Sequence, residues 1–552
     1  MNQSLYELRM NAQQQHDIHS INQLLHLCAR GIDPKRNNVK LVFEATASLG
    51  ALSEDNEGVN LILASTSTAP TPMSGVSLLF MLLKWSINGG GRDVSHHGNH
   101  TATVRQTRTW NSDASHDKFY NDRTTTVCLR LLYNVIQYHL NIKLNQEGIL
   151  GVRRIVIATG MDKTIEDISA YLIDQLRPNQ SLCPAEDKPN FDVTLLILSR
   201  TCELESVRCL WIQRAKEEAT EETTPGNNKD TNATKKDTFN KFAHKDNNDK
   251  DDEEDIDLLY VLVGILEAPL NLTPTQYCST MRIVNLVTKW HAKAKEKAIP
   301  CIKASVGLLE TFHDKDNAII DGSDKEKLVL QCFGMLSAMA YKCVPVQEEL
   351  LESGVGHNWS MHCFMTYHDT NPTIAIQCLG FLASFISSGG PKAALSMLPV
   401  MMNKEFLACL LNTCQMYPRR EQIQRLAINV FGLTVALVLC DIKENDVDSD
   451  ISDQEEAFSE NDEDVEGESK SKSKPRATPR DILFAWYIEL NVLAVCDKIT
   501  ARLKMMEATY ERKQDESKKK YFEKTHQSIA LIEKFYTREK WKRENPDSDE
   551  EE

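Results

Sequence analysis

The 552-residue sequence predicts an all-α chain assembled as an array of stacked helical units. Three observations carry that expectation. Apolar segments show three- and four-residue spacing, the helical period, and strand-like alternation is rare. A chain this long exceeds what one core serves, so it must divide or repeat. Finally, "VFEATASLGALSEDNEGVNLILAS" (42–65) and "VLQCFGMLSAMAYKCVPVQEELLES" (329–353) superpose without a gap.

In chain order, the first helix is expected over 17–30. Its His16, His19 and His26 lie near Cys28 at helical spacing, and one helix face cannot close a metal site. Helix 39–53 places a small Ala45, Leu49 four residues on and Leu52 three after that, which makes one apolar stripe. "SEDNEG" then turns the chain into helix 57–64, and helix 75–87 follows. Residues 88–123, including "GGGRDVSHHGNHTATVRQTRTWNSDASHDKF", lack the apolar content that offsets chain ordering and are expected to be a disordered insertion. His96, His97, His100 and His116 there have no framework for a tetrahedral site, and "INGGGRD" (87–93) lacks the Lys-Ser/Thr of a phosphate loop.

Helix 124–140 carries Leu131, Val135 and Tyr138 in the stripe roles, and helices 148–158, 164–176 and 190–217 follow. A second polar insertion is expected at 218–255, then helices 256–267, 274–296 and 300–313. Helix 324–342 repeats the stripe with Cys332, Leu336 and Met339, and "YKCVPV" turns it into helix 344–353. His362 and Cys363 are adjacent, so they read as core packing instead of a Cys–His nucleophile. Helix 372–387 repeats the stripe again with Cys378, Leu382 and Phe385, and helices 403–415 and 420–440 complete the array. The run "LAINVFGLTVALVLC" (426–440), with Asn429 inside it, is short for a bilayer span and suits a buried helix.

Residues 441–480 form an expected acidic disordered linker, with fourteen acidic residues against one lysine between Asp441 and Glu468. Ser452, Ser459 and, in the acidic tail 546–552, Ser548 precede acidic residues as acidophilic kinase sites of the casein kinase 2 type do. Lys470, Lys472, Lys474 and Arg476 in "KSKSKPR" are a candidate nuclear-localisation cluster. A long helical stretch is expected over 481–535. Phe484, Trp486, Tyr487, Leu490, Leu493 and Val495 would dock it as a C-terminal cap. Beyond them Tyr521, Phe522, Ile529, Leu531, Ile532, Phe535 and Trp541 mark an amphipathic helix that packs on the array or takes a partner.

The repeated stripe and the short following unit resemble the armadillo-repeat family, most clearly at 41–65, 127–151, 328–354 and 374–395, with HEAT repeats a close alternative. The resemblance implies a right-handed superhelical array over most of 1–440, closed by capping helices over 481–545. It also implies a non-enzymatic scaffold that offers a groove to protein partners. Alternatives are a regulator of an enzyme, such as an exchange factor or chaperone for G proteins, and a subunit of a nuclear chromosome- or RNA-associated complex. Peptide-holding members of the family place an asparagine just before the central leucine. Only Asn134 takes that place here, with Ser48, Met335 and Phe381 elsewhere, so an importin-like ladder is not expected.

Composition narrows the function further. A net charge of −16 argues against a general grip on nucleic acid. Fifteen scattered cysteines without a C-x-x-C pair read as reduced thiols of an intracellular protein. The first residues lack the pattern of a secretory signal, so the expected location is cytoplasmic, nuclear or both. No G-x-S-x-G, H-E-x-x-H or kinase set occurs, and neither cofactor, metal nor membrane span is expected.

Overall fold

The computed structural model describes residues 4–33, 37–67, 73–88, 112–143, 160–177, 188–205, 207–208, 210–211, 258–267, 272–289, 291–313, 322–353, 355–388, 396–439, 478–512 and 516–545. Among them are twenty-three helices and a single hairpin of two-residue strands, Thr66–Ser67 with Met73–Ser74. The chain divides into two compact units, 1–287 and 288–552.

The first unit holds α1 (Leu5–Gln15), α2 (Ile18–Gly31), α3 (Val39–Leu52), α4 (Asn56–Ala64), α5 (Gly75–Ile87) and α6 (Ser112–Lys143). It continues with α7 (Met161–Asp167), α8 (Ser169–Leu176), α9 (Phe191–Thr201), α10 (Leu258–Glu267) and α11 (Pro274–Thr288). The second holds α12 (Ala292–Lys297), α13 (Pro300–His313), α14 (Gly322–Ala340), α15 (Val344–Glu352), α16 (Val355–Tyr367) and α17 (Pro372–Ser388). After them come α18 (Leu398–Met401), α19 (Lys404–Met416), α20 (Glu421–Leu439), α21 (Pro479–Glu489), α22 (Val492–Arg512) and α23 (Glu516–Glu544).

Side-chain caps start many of these helices. Asp17 accepts from the amides of His19 and Ser20, Asp55 from Gly58, and Asn403 from Phe406. Full capping boxes open α1 (Ser4 with Glu7) and α21 (Thr478 with Asp481). Each cap satisfies amides that no helical carbonyl can reach and is worth about 1 kcal/mol.

The second unit shows the repeat most clearly. Every third helix is long and packs on its counterpart: α14 on α17, α17 on α20, α20 on α23. Among the described residues two other helices lie between successive members. These third helices share one burial register. The buried pairs Cys332/Phe333, Met335/Leu336 and Met339/Ala340 of α14 recur 46 residues on (332 to 378) as Cys378/Leu379, Phe381/Leu382 and Phe385/Ile386. They recur 49 residues further (378 to 427) as Ala427/Ile428, Val430/Phe431 and Thr434/Val435. In the first unit α3 holds the same pattern with Ala45/Thr46, Ser48/Leu49 and Leu52/Ser53. Phe333 and Phe381, with ring centroids 5.9 Å apart and so within the usual aromatic range, join two neighbours directly. The helix α23 differs, because only one face is buried, through Phe522, Thr525, Ile529, Ile532 and Phe535. A one-sided helix is what ends a stack.

Several expectations are corrected. Residues 112–123 are helical and belong to α6, not to an insertion. They hold because Tyr120 packs against Phe43 of α3 at 5.6 Å. Within α6 the burial register puts Cys128 and Leu132 in the first and central places, where Leu131 and Val135 were expected. Leu131 thereby becomes the residue before the centre, and Asn134 leaves that place. The stretch 481–535 falls on three helices: Asn491 takes a left-handed φ of 52° between α21 and α22, and α22 and α23 are separate elements, Val492–Arg512 and Glu516–Glu544. The stretch 274–296 is two helices, α11 and α12, and 164–176 falls on α7 and α8. Helices α1, α16 and α18 are additional. The expected helix 148–158 lies outside the described residues, as do the whole of 218–255, all of 441–480 but residues 478–480, and the tail 546–552.

Among the described residues α20 is the one helix long and apolar enough to cross a bilayer. Here its apolar faces lie between α17 and α23, and Phe431 stands edge-on to Tyr487 of α21 at 6.1 Å.

Candidate binding surface

Packing against neighbours consumes most of each third helix, and the stripe left over is the surface this fold offers. In α14 and α17 the stripe is small and uncharged. Aligned positions hold Gln331 with Gln377, Gly334 with Gly380, and Ala338 with Ser384, all half-buried. Space above it is open: a Cβ added to Gly380 meets nothing within 4 Å. On α20 Arg425 contributes charge, and its Nε lies 3.0 Å from Glu421 Oε1.

Where α14 ends, Tyr341 is 44% exposed, with Lys342 Nζ 5.3 Å and Lys295 Nζ 5.6 Å from its ring centroid. Lys295 is buried and donates to the Tyr341 carbonyl, closing the last turn of α14 where a cation suits the helix dipole. Burial holds its ammonium pKa below the usual lysine value. Lys342 turns the chain with a φ of 55°, which carries it into α15.

In the first unit α3 and α6 run parallel, since Gly50 faces Val127 and Ser53 faces Asn134. Asn134 donates from Nδ2 to Ser53 Oγ at 3.0 Å, so its amide holds two helices together. Upstream on α6 lies an exposed aromatic–cation cluster. Phe119 is 46% exposed, Arg123 Cζ stands 4.1 Å over its ring, and Tyr120 meets it edge-on at 5.6 Å. Arg130 continues the exposed face two turns on. A large exposed ring overlaid by a guanidinium is the composition of binding hot spots. Burial raises the Asp122 carboxyl pKa, with Lys118 partly opposing the shift. This cluster falls inside the stretch expected to be disordered. The spacing of Phe119, Arg123 and Arg130 at four and seven residues was the available signal.

The repeat-core residues Ala45, Leu49, Leu52, Leu131, Val135, Cys332, Leu336, Met339, Cys378, Leu382 and Phe385 are all buried. Ser452, Ser459, Ser548, Lys470, Lys472, Lys474 and Arg476 lie outside the described residues. His362 is exposed against Trp359 at 5.8 Å, whereas Cys363 is buried, and burial pushes its thiol pKa well up. His16 is within 3.4 Å of Glu57 and 3.7 Å of Asp55, and His19 bonds Gln23 at 2.7 Å. No group of metal-ligating side chains converges among the described residues, and no described cysteine is in a disulfide. The capping residues Phe484, Tyr487 and Val495 are buried, Trp486, Leu490 and Leu493 are half-buried, and Trp541 is exposed.

No protein-family model matches the chain, and no curated protein matches it. Solved structures do. One engineered protein matches at 11% identity with a TM-score of 0.40, covering 79% of this chain and 89% of its own. A second engineered protein matches at 11% with 0.33, covering 67% and 97%. A structure from work on a phosphorylation switch in the interaction between cadherin and beta-catenin matches at 10% with 0.30, covering 97% and 99%. Likenesses this loose carry no argument about what this chain binds.

Proposed function

We propose that the chain is a non-enzymatic armadillo-type adaptor that binds protein partners through the exposed stripes of its third helices. The observation that carries this reading is the exposed Phe119–Arg123 cluster on a long stacked helix. Three helices per period, at 46 and 49 residues (332 to 378 to 427), favour the armadillo over the two-helix HEAT unit. Phosphorylation of Ser452, Ser459 and Ser548 would add charge and tune the choice of partner, and Lys470, Lys472, Lys474 and Arg476 would direct the chain to the nucleus.

The test is affinity capture with three full-length baits: wild type, Phe119→Ala with Arg123→Ala, and Gly380→Arg. Neither variant should melt below the wild type by more than a degree or so, because Phe119 and Arg123 are exposed and a side chain added at half-buried Gly380 meets open space. A stoichiometric partner of the wild type should be lost from one surface variant. An identical partner set on all three baits would sink the reading.

A further inference from the structure

The C-terminal end of α23 is strongly basic. Lys534, Arg538, Lys540, Lys542 and Arg543 fall within its last three turns, while Glu539 is buried. Complementing the helix dipole takes one or two cations in the last turn, so this density asks for another reason. Beside the basic residues Trp541 is 51% exposed. Two ion pairs made here are exposed ones, Arg543 with Asp481 at 3.0 Å and Lys540 with Glu544 at 3.9 Å, and such pairs exchange easily.

Residues 440–477 leave and rejoin the described chain at this same place. Arg480, three residues past their end, donates from Nε to the Val438 carbonyl at 3.4 Å, one residue before the end of α20. Arg543 reaches Asp481 and stands 4.5 Å over the ring of Phe484. Both ends of 440–477 are therefore set against the basic end of α23. The first part of that segment, Asp441 to Glu468, holds fourteen acidic residues and one lysine. A chain of this length spans roughly 30 Å root-mean-square if free, far more than the reach required. Tethering puts the acidic segment at a millimolar-scale effective concentration over a patch of opposite charge.

We infer that the basic end of α23, with Trp541, is a docking surface whose occupant is the acidic segment 441–468 of the same chain. The contact is electrostatic and salt-sensitive, and a more acidic partner would displace the segment and free Trp541. Phosphate on Ser452 or Ser459 strengthens it. The inference stands apart from the adaptor reading, since neither Phe119, Arg123 nor Gly380 takes part.

Zero-length carbodiimide cross-linking of the full-length chain, read by peptide mass spectrometry, tests it. Links from 441–468 to Lys534, Lys540 and Lys542 should exceed links to the exposed Lys40 and Lys303 by about tenfold in low salt. They should fall several-fold in about 0.5 M NaCl, where screening is short-ranged. Links spread evenly over all these lysines would overturn the inference, and so would links found only between molecules, which would make a second copy the occupant. As an independent reading, 5-fluorotryptophan NMR follows the Trp541 resonance, assigned with Trp541→Phe. In low salt it should differ between the wild type and a chain whose carboxylates in 441–468 are replaced by amides, and salt should bring the two together. Coincident resonances in low salt refute the docking.

Discussion

Two glycines on successive third helices should respond oppositely to alanine. At Gly380 of α17 an added Cβ meets nothing within 4 Å. The change removes only the conformational cost of glycine in a helix, so Gly380→Ala should stabilise by about 0.5–1 kcal/mol. At Gly432 of α20 the same Cβ would lie 2.6 Å from Ser528 Cβ, 2.9 Å from its Oγ and 3.1 Å from its Cα. Ordinary contact needs about 3.5–4 Å, so α23 must retreat by close to an ångström. Overpacking of this kind costs about 1–3 kcal/mol. The bond from Ser528 Oγ to Asn429 Oδ1, 3.3 Å here, would be stretched as well. That loss, about 1 kcal/mol, roughly cancels the helix-propensity gain, so the net expectation is a destabilisation of about 1–3 kcal/mol. Urea unfolding followed by circular dichroism compares the two variants with the wild type. Adding Ser528→Gly to Gly432→Ala should recover part of the loss, because the Cβ and Oγ that clash are gone, and the coupling energy reads their contact. If Gly432→Ala stabilises as Gly380→Ala does, α23 does not pack on α20 as described and the reasoning fails.

Two further outcomes follow from burial. Tyr487 is fully enclosed between Phe431 and Phe535, and its hydroxyl has no hydrogen-bond partner among the described residues. Tyr487→Phe should therefore leave the thermal midpoint unchanged or raise it, by up to about 1–2 kcal/mol in stability, whereas a clear drop would mean the hydroxyl is satisfied. Burial also raises the thiols of Cys28, Cys332 and Cys414 from 9.0 to about 12. Their folded forms keep the proton while the unfolded thiols ionise, so stability is intact below pH 9 and falls as pH rises from 9 towards 12. At pH 10 each thiol contributes a loss on the order of 1 kcal/mol. Melting curves between pH 8 and pH 10.5 should show it, and a flat midpoint across that range would contradict the burial of these thiols.

Helix content was legible from the sequence wherever an apolar stripe is strong. Ala45, Leu49 and Leu52, or Cys332, Leu336 and Met339, mark the inner face of a helix because residues four and three apart stand over one another. Gly75–Ile87 and Pro300–His313 are found at their expected bounds for the same reason. The signal fades where burial is slight. Helix α1 buries only Leu8 and Ala12, although its Ser4–Glu7 capping box was there to be read. In α16, "VGHNWSMHCFMTY" mixes aromatic, histidine and β-branched residues that are poor helix formers, and its packing on α17 overrides them.

Pairing between distant segments was left to tertiary structure. The identical spacing of the stripes shows that units repeat, but it does not say which helix meets which, and α6 can slide by one turn without losing its apolar face. Its register is decided by the steric fit of Val127 against Gly50 and of Tyr120 against Phe43, across a gap of seventy-seven residues in each case. That same fit lifts Phe119 and Arg123 to the surface as neighbours. A local period shows which side of a helix is greasy, and only the shape of the helix beside it decides which residues are left to meet a partner.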